Sequence, residues 1–325
     1  TIQACILNNG EHRPMADKFR GIMTVPYTSF DEGTEEVNEG RIREHINFLI
    51  DKGVHMFCAL GSSGSYAYLS FDERKRIIDI FMDETAGRIP IVFGSTARRT
   101  ADTVMMMQYA KDAGAVGVMV SSTTYFPMEE PELRRHWADV NAVGIPVVIY
   151  NIPMSTGTDM SAKFLVDIAR ENEYIQYVKE SAADWRRYLQ MLTLQQNDAE
   201  MALTPICGWE EWAFDCFAYG LEAWICGCSN IIPDDCIRLW ELMIVEKNFE
   251  AGRELWLTRI CPVLQMLSGW GMGEKLPYQY HTIAETCLQL LGRPLGPPRR
   301  PLYLDAVTPE HKKLIEKILG DHGHL

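Results

Sequence analysis

The chain has 325 residues, 47% of them hydrophobic and 23% charged, and carries a net charge of −13. That negative balance argues against nucleic acid as a partner, because phosphate binding needs a basic surface, and leaves room for a small anion held by a few local donors. No apolar run reaches bilayer-spanning length and no leader peptide is visible, so a chain working in the reducing cytoplasm, without membrane contact, is expected.

Residues 1–20 show no periodicity and are read as an N-terminal extension, with Met15 as a native start and the first fourteen residues outside the fold. From Gly21 a regular rhythm begins. Apolar strands are predicted at 21–26, 55–61, 89–94, 117–121, 145–150, 174–179, 201–207 and 223–229. Helices are predicted between and after them at 41–52, 71–85, 100–113, 130–142, 161–171, 184–195 and 210–219. Strands that are apolar throughout, rather than alternating, suit a parallel sheet buried on both faces. Eight such units at roughly thirty-residue spacing are the count that closes a TIM barrel, an α/β fold, over residues 21–230. The remaining residues, 231–325, read as a helical extension with helices at 234–246, 249–266, 277–291 and 309–319 and a turn-rich connector at 292–301. Its expected role is to cover the barrel or to contact other subunits.

In such a barrel the chemistry sits where strands end and loops begin. Those ends carry Gly61-Ser-Ser-Gly-Ser65, Ser121-Ser-Thr-Thr-Tyr125, Tyr150-Asn151 and Lys179-Glu180. Lysine is a costly residue to bury, and burial by itself disfavours its ammonium form, which predicts a lowered pKa and a nucleophilic amine at Lys179. Such an amine forms a Schiff base with a ketone, and a phenol such as Tyr150 can relay the protons. The plain alternative is a lysine that snorkels to solvent at a strand end. No histidine falls at an active strand end, so a Ser-His-Asp hydrolase is not expected. Metal and cofactor are not expected either. The eight histidines form no HxH or HExxH pattern, and Cys226 and Cys228 lack the usual zinc spacing. Cys58, Cys207, Cys226 and Cys228 lie in apolar runs and read as small buried side chains.

The ordered set Gly61-Ser-Ser-Gly64, Tyr125-Phe-Pro127, Tyr150-Asn-Ile-Pro-Met-Ser-Thr-Gly157 and Val178-Lys-Glu-Ser181 resembles the dihydrodipicolinate synthase/N-acetylneuraminate lyase family of class I aldolases, as does the Pro-rich tail 290–301. The resemblance implies a homotetramer, a dimer of dimers, acting on a small 2-oxo acid such as pyruvate and an aldehyde. It implies that Lys179 is the Schiff-base lysine, Tyr150 the proton relay, and Ser62 and Ser63 the carboxylate-binding turn. It also implies that Tyr125 joins the relay across a subunit interface, and that Gly208 and Ile225 line the pocket through backbone groups. At Tyr125 the preceding Thr123-Thr124 departs from the family's Pro-Tyr context.

Two further departures bear on the substrate. Ser65 follows Gly64 where the family usually has glutamate, and Ser155 stands where dihydrodipicolinate synthases place an arginine that grips the second substrate's carboxylate. A serine cannot make that bidentate charged contact, so condensation with aspartate semialdehyde is not expected. Trp209, Trp212 and Trp224 cluster near the last two strand ends, either as packing or, for Trp209, as a wall for a less polar aldehyde. Three functions follow: a lyase that makes or breaks a carbon–carbon bond through a lysine imine, a 2-oxo-3-deoxy sugar acid dehydratase using the same imine, or a non-catalytic 2-oxo acid binder.

Overall fold

The computed structural model describes residues 19–122, 125–197, 203–271, 274–276, 279–302 and 307–325. Almost all of the expected N-terminal extension, Thr123-Thr124, and the first two residues of the seventh predicted strand lie outside them.

Eight strands close into one parallel barrel in chain order: β1 (Gly21–Thr24), β2 (Met56–Ala59), β3 (Ile91–Gly94), β4 (Gly117–Ser121), β5 (Val147–Asn151), β6 (Ile175–Glu180), β7 (Thr204–Cys207) and β8 (Ala223–Cys226). Strand β1 pairs with β2 on one side and β8 on the other, which completes the ring. Side chains alternate across each strand. Ile22, Phe57, Phe93, Val118, Ile149, Val178 and Trp224 pack outward in the main core with the helices. Met23, Cys58, Val92, Met119, Val148, Tyr177, Ile206 and Ile225 fill the interior. Phe19 stacks on Tyr177 with ring centroids 4.4 Å apart and belongs to that interior cluster. Two residues beyond Val148 and Tyr177 on the same strands come Tyr150 and Lys179, so the alternation that buries the core also aims both inward.

The surrounding helices are α1 (Glu39–Asp51), α2 (Phe71–Thr85), α3 (Thr100–Asp112), α4 (Glu130–Asn141), the single turn α5 (Pro153–Thr156), α6 (Ala162–Glu171), α7 (Trp185–Asn197) and α8 (Ala213–Ala218). Their starts follow local chemistry. Ser70 accepts from the Glu73 N–H while the Glu73 carboxylate accepts from the Ser70 N–H, which sets the first residue of α2. Between β3 and the end of β2, Gly94 is obligatory: a Cβ there would lie 1.9 Å from the Leu60 carbonyl oxygen.

The extension comprises α9 (Pro233–Trp240), α10 (Phe249–Leu255), α11 (Cys261–Leu267), α12 (Tyr280–Leu290) and α13 (Pro309–Asp321). The single helix predicted at 249–266 is interrupted by a wide π-helical stretch, Trp256–Ile260, before α11. Pro262 explains it, since a proline lacks the N–H that a regular α-turn would use and clashes with the preceding turn. Among the described residues no helix is long and apolar enough to cross a membrane. The Pro-rich connector is tied down by the Glu285 carboxylate, which accepts from the N–H groups of Leu295 at 3.0 Å and Gly296 at 3.1 Å. Arg299 packs 4.4 Å over the Phe30 ring and pairs with Glu73.

Candidate active site

Lys179 sits next to Tyr150 and Ile206 in the sheet register. It is 7% exposed, and its Nζ lies 4.2 Å from the centroid of the Tyr150 ring. It therefore does not snorkel. The strand end is crowded by the adjacent β7 end: a Cβ at Gly208 would lie 2.4 Å from Ser181 Oγ, 2.5 Å from the Glu180 carbonyl and 2.7 Å from Lys179 Cγ. The Tyr188 hydroxyl locks the two strand ends together by donating to the Glu180 carbonyl at 2.5 Å and accepting from the Gly208 N–H at 3.1 Å. Gly208→Ala is expected to lower stability by roughly 1–3 kcal/mol through overpacking and, by shifting Lys179, to slow turnover about a hundredfold. Chemical denaturation and steady-state rates measure the two effects separately.

The electrostatics around Lys179 correct one expectation. Burial disfavours its ammonium form, but the Tyr150 phenol, the Cys58 thiol and the Glu210 carboxyl outweigh burial, and the amine is held above its ordinary pKa. Burial was the only cause visible in the sequence, and in the folded chain it is the losing one. The raised pKa favours the ammonium form of Lys179, so any reaction that needs its free amine also needs a neighbouring proton acceptor.

Glu210, in the short turn Glu210–Trp212 after β7, is the residue that sequence reasoning missed. Burial and the Cys226 thiol raise its pKa to about 8, against the opposing pull of the Gly227 N–H and of Lys179. Its Oε1 accepts a hydrogen bond from Gly227 N. Around Gly227 the polar atoms converge: a Cβ there would lie 2.1 Å from the Tyr280 hydroxyl, 2.7 Å from Ser63 Oγ and 3.3 Å from Glu210 Oε1. The Tyr27 and Tyr280 hydroxyls are 2.9 Å apart, and Tyr27 also donates to the Gly227 carbonyl at 3.3 Å. Helix α12 therefore contributes to the mouth of the barrel as well as covering it.

The raised carboxyl has a consequence for stability. Below its unfolded pKa, Glu210 is protonated in both states. As pH rises toward about 8, the unfolded chain releases a proton that the folded chain must keep, so stability falls across that window. Glu210→Gln is expected to make this decline shallower by up to about 1.4 kcal/mol per pH unit between about pH 5 and 8. Urea titrations at several pH values would show it, and an unchanged slope would contradict the assignment. Glu180, raised to about 7 by burial, adds a slope of the same sign that the variant retains.

Glu180 points away from the pocket. The Asn151 amide donates to its carboxylate at 2.9 Å and to the Met160 carbonyl at 3.3 Å, which ties the loops after β5 and β6. Ser181 Oγ is buried and has no hydrogen-bond partner among the described residues, a free hydroxyl beside the Lys179 strand end.

The remaining predicted residues divide between the mouth and the outer surface. Ser62 is exposed and Ser63 half-buried in the turn after β2, and Ser65 closes that turn in the left-handed region at φ 57°. His281 Nε2 lies 3.2 Å from the Ser62 carbonyl, so α12 also props this turn. Ile225 is buried on the inner face of β8. Ser155 is exposed in α5, two residues after Pro153. Trp209 is half-buried and packs on Trp212 with centroids 5.9 Å apart, whereas Trp224 points out of the barrel against Phe217 and Trp256. The three tryptophans are therefore not one cluster. Tyr125 is 79% exposed and its ring rests on Phe126, away from Lys179 of its own chain.

A family model of dihydrodipicolinate synthetases matches residues 18–321. The chain belongs to that family. It is thus an enzyme of the family's lyase and aldolase type. A 4-hydroxy-tetrahydrodipicolinate synthase of Methanocaldococcus jannaschii is 28% identical over 306 residues, covering 94% of this chain and 99% of that one. An uncharacterised DapA-like lyase of Halobacterium salinarum is 28% identical over 308 residues, 94% of either chain. A dihydrodipicolinate synthase crystal structure superposes with a TM-score of 0.82 at 28% identity, covering 94% of this chain and 100% of that one. YagE of E. coli K12, solved in complex with pyruvate, superposes at 0.84 over 94% of this chain and 99% of its own, and at 22% identity shows the shared fold.

Proposed function

We propose that this chain is a Schiff-base-forming lyase in which Lys179 takes pyruvate or a related 2-oxo acid as an imine, and a carbon–carbon bond to an aldehyde is made or broken. The observation that carries this reading is the buried Lys179 amine set against the Tyr150 ring at the carboxyl end of the barrel. Freed of its proton, the amine attacks the ketone carbon, and the former ketone oxygen leaves as water after protonation through the Tyr150 phenol. The protonated imine then accepts the electron pair of the adjacent C–H or C–C bond as an enamine, the C–H proton passing to the Tyr150 oxygen, or the cleaved fragment leaving as the aldehyde after giving its hydroxyl proton to that oxygen. Ser62 and Ser63, with the backbone of their turn, hold the carboxylate, and Gly208 and Ile225 line the pocket. The pyruvate bound to YagE supports the same substrate class here.

The second substrate is an aldehyde without its own carboxylate clamp, because Ser155 offers a hydroxyl and no charge. Trp209, half-buried at the turn after β7, is assigned to the wall for that aldehyde, and Trp209→Ala is expected to shift the preference between apolar and polar aldehydes about tenfold. Competition assays with paired aldehydes would measure it, and an unchanged preference removes Trp209 from the specificity wall. The exposed Tyr125 and Phe126, at 79% and 74%, support the implied homotetramer in which Tyr125 reaches a neighbour's site. The eight described cysteines are all free thiols, which supports a cytoplasmic setting.

The test is proton exchange. Pyruvate incubated with the enzyme in heavy water is expected to lose its methyl proton signal through the enamine, and loss of that exchange with every 2-oxo acid tried would leave the protein without imine chemistry. Product masses then separate carbon–carbon cleavage from dehydration.

A further inference from the structure

Behind the Gly227 turn lies a group of side chains that the reaction does not use. Cys226 ends β8, Cys228 opens the turn Cys228–Asn230, and Cys236 reaches in from α9. All three are fully buried, and their sulfurs lie within 4.8 Å of one another. The Cys228 and Cys236 sulfurs are 3.6 Å apart. A tetrahedral ion with sulfur bonds of about 2.3 Å holds its sulfurs about 3.8 Å apart, close to the 3.6 Å between Cys228 and Cys236 and within the 4.8 Å that encloses all three. Next to them, Ser229 Oγ lies 3.2 Å from Cys226 Sγ.

We propose that Cys226, Cys228 and Cys236 form a closed structural site for a thiophilic divalent ion, zinc foremost, with the Ser229 hydroxyl as a neutral fourth ligand. Charge selects the ion. Three thiolates around a divalent cation leave one net negative charge, whereas a monovalent ion would leave two in an apolar pocket, at greater desolvation cost. The sequence conceals the site, because Cys226 and Cys228 are one residue apart and the third ligand comes from a helix further on. Full burial means that the ion enters as the chain folds and is not exchanged at the surface.

The site has a clear consequence for its surroundings. Gly227, between two of the ligands, donates its N–H to Glu210 and accepts at its carbonyl from Tyr27 at 3.3 Å and from Asn230 at 2.7 Å. An ion held by Cys226 and Cys228 fixes that turn at the mouth of the barrel. The ion itself lies behind the turn, so its role is structural.

Protein purified from cells grown with added zinc, then washed with chelator while folded, is expected to retain about one zinc per chain by elemental mass spectrometry, released on unfolding. X-ray absorption at the zinc edge is expected to show a sulfur-dominated shell at about 2.3 Å, a readout that needs no variant. Cys236→Ser is expected to lose the ion, and Cys261→Ser, whose sulfur lies elsewhere, to keep it. Wild-type protein free of metal, a shell of nitrogen and oxygen, a Cys228–Cys236 disulfide in its place, or zinc retained by Cys236→Ser would each overturn the proposal.

Discussion

Lys179→Ala is expected to leave a folded barrel whose turnover falls by at least about 10⁴-fold, because the covalent route is lost rather than weakened. The side chain is 7% exposed and is not part of the strand's hydrogen-bond ladder, so truncation removes a buried charge without disturbing β5 or β7. Its partners tolerate the loss, since Glu210 already titrates at about 8 and becomes more firmly protonated once the neighbouring cation is gone. Circular dichroism should match the wild type while methyl-proton exchange of pyruvate disappears. Residual exchange within tenfold of wild type would place the nucleophile elsewhere.

Tyr150→Phe is expected to lower kcat by roughly 10²–10⁴-fold, the range for removing a positioned proton donor, with little change in KM. The substitution is discriminating because Tyr150 has two roles. Its ring is the face against which Lys179 Nζ rests at 4.2 Å, and phenylalanine preserves that face. In the proposed reaction its hydroxyl moves the protons, and only that is lost. Rapid-mixing measurements should find imine formation slowed in the variant. If imine formation keeps its wild-type rate and only later steps slow, the phenol acts after the carbinolamine rather than on it.

Much of this arrangement is legible in the amino-acid sequence. Eight continuous apolar runs imply a closed parallel barrel with Tyr150 and Lys179 at strand ends, and the structure adds that both side chains share the interior face. Strand ends differ by up to three residues, as at β8, which stops at Cys226 rather than Ser229 because the chain turns at Gly227. What the sequence hid was convergence between distant segments. Glu210 sits in Trp-Glu-Glu-Trp, where an acidic pair reads as a solvated helix face, yet Glu210 is half-buried, holds the Gly227 N–H and feels the charge of Lys179. Tyr280 and His281 begin a helix about a hundred residues beyond Lys179, and nothing local marks them as reaching Tyr27 and the Ser62 turn. The raised pKa of Lys179 was hidden for the same reason: burial can be read from a strand, whereas the phenol, thiol and carboxyl that oppose it come from three other elements.

The central claim is that Lys179 becomes covalently joined to a 2-oxo acid, and reductive trapping tests it most directly. Enzyme incubated with pyruvate, reduced with borohydride and digested is expected to yield a peptide carrying the reduced pyruvyl group on Lys179, absent from Lys179→Ala. A trapped group on any other lysine, or none on Lys179 with any 2-oxo acid tried, would contradict the account.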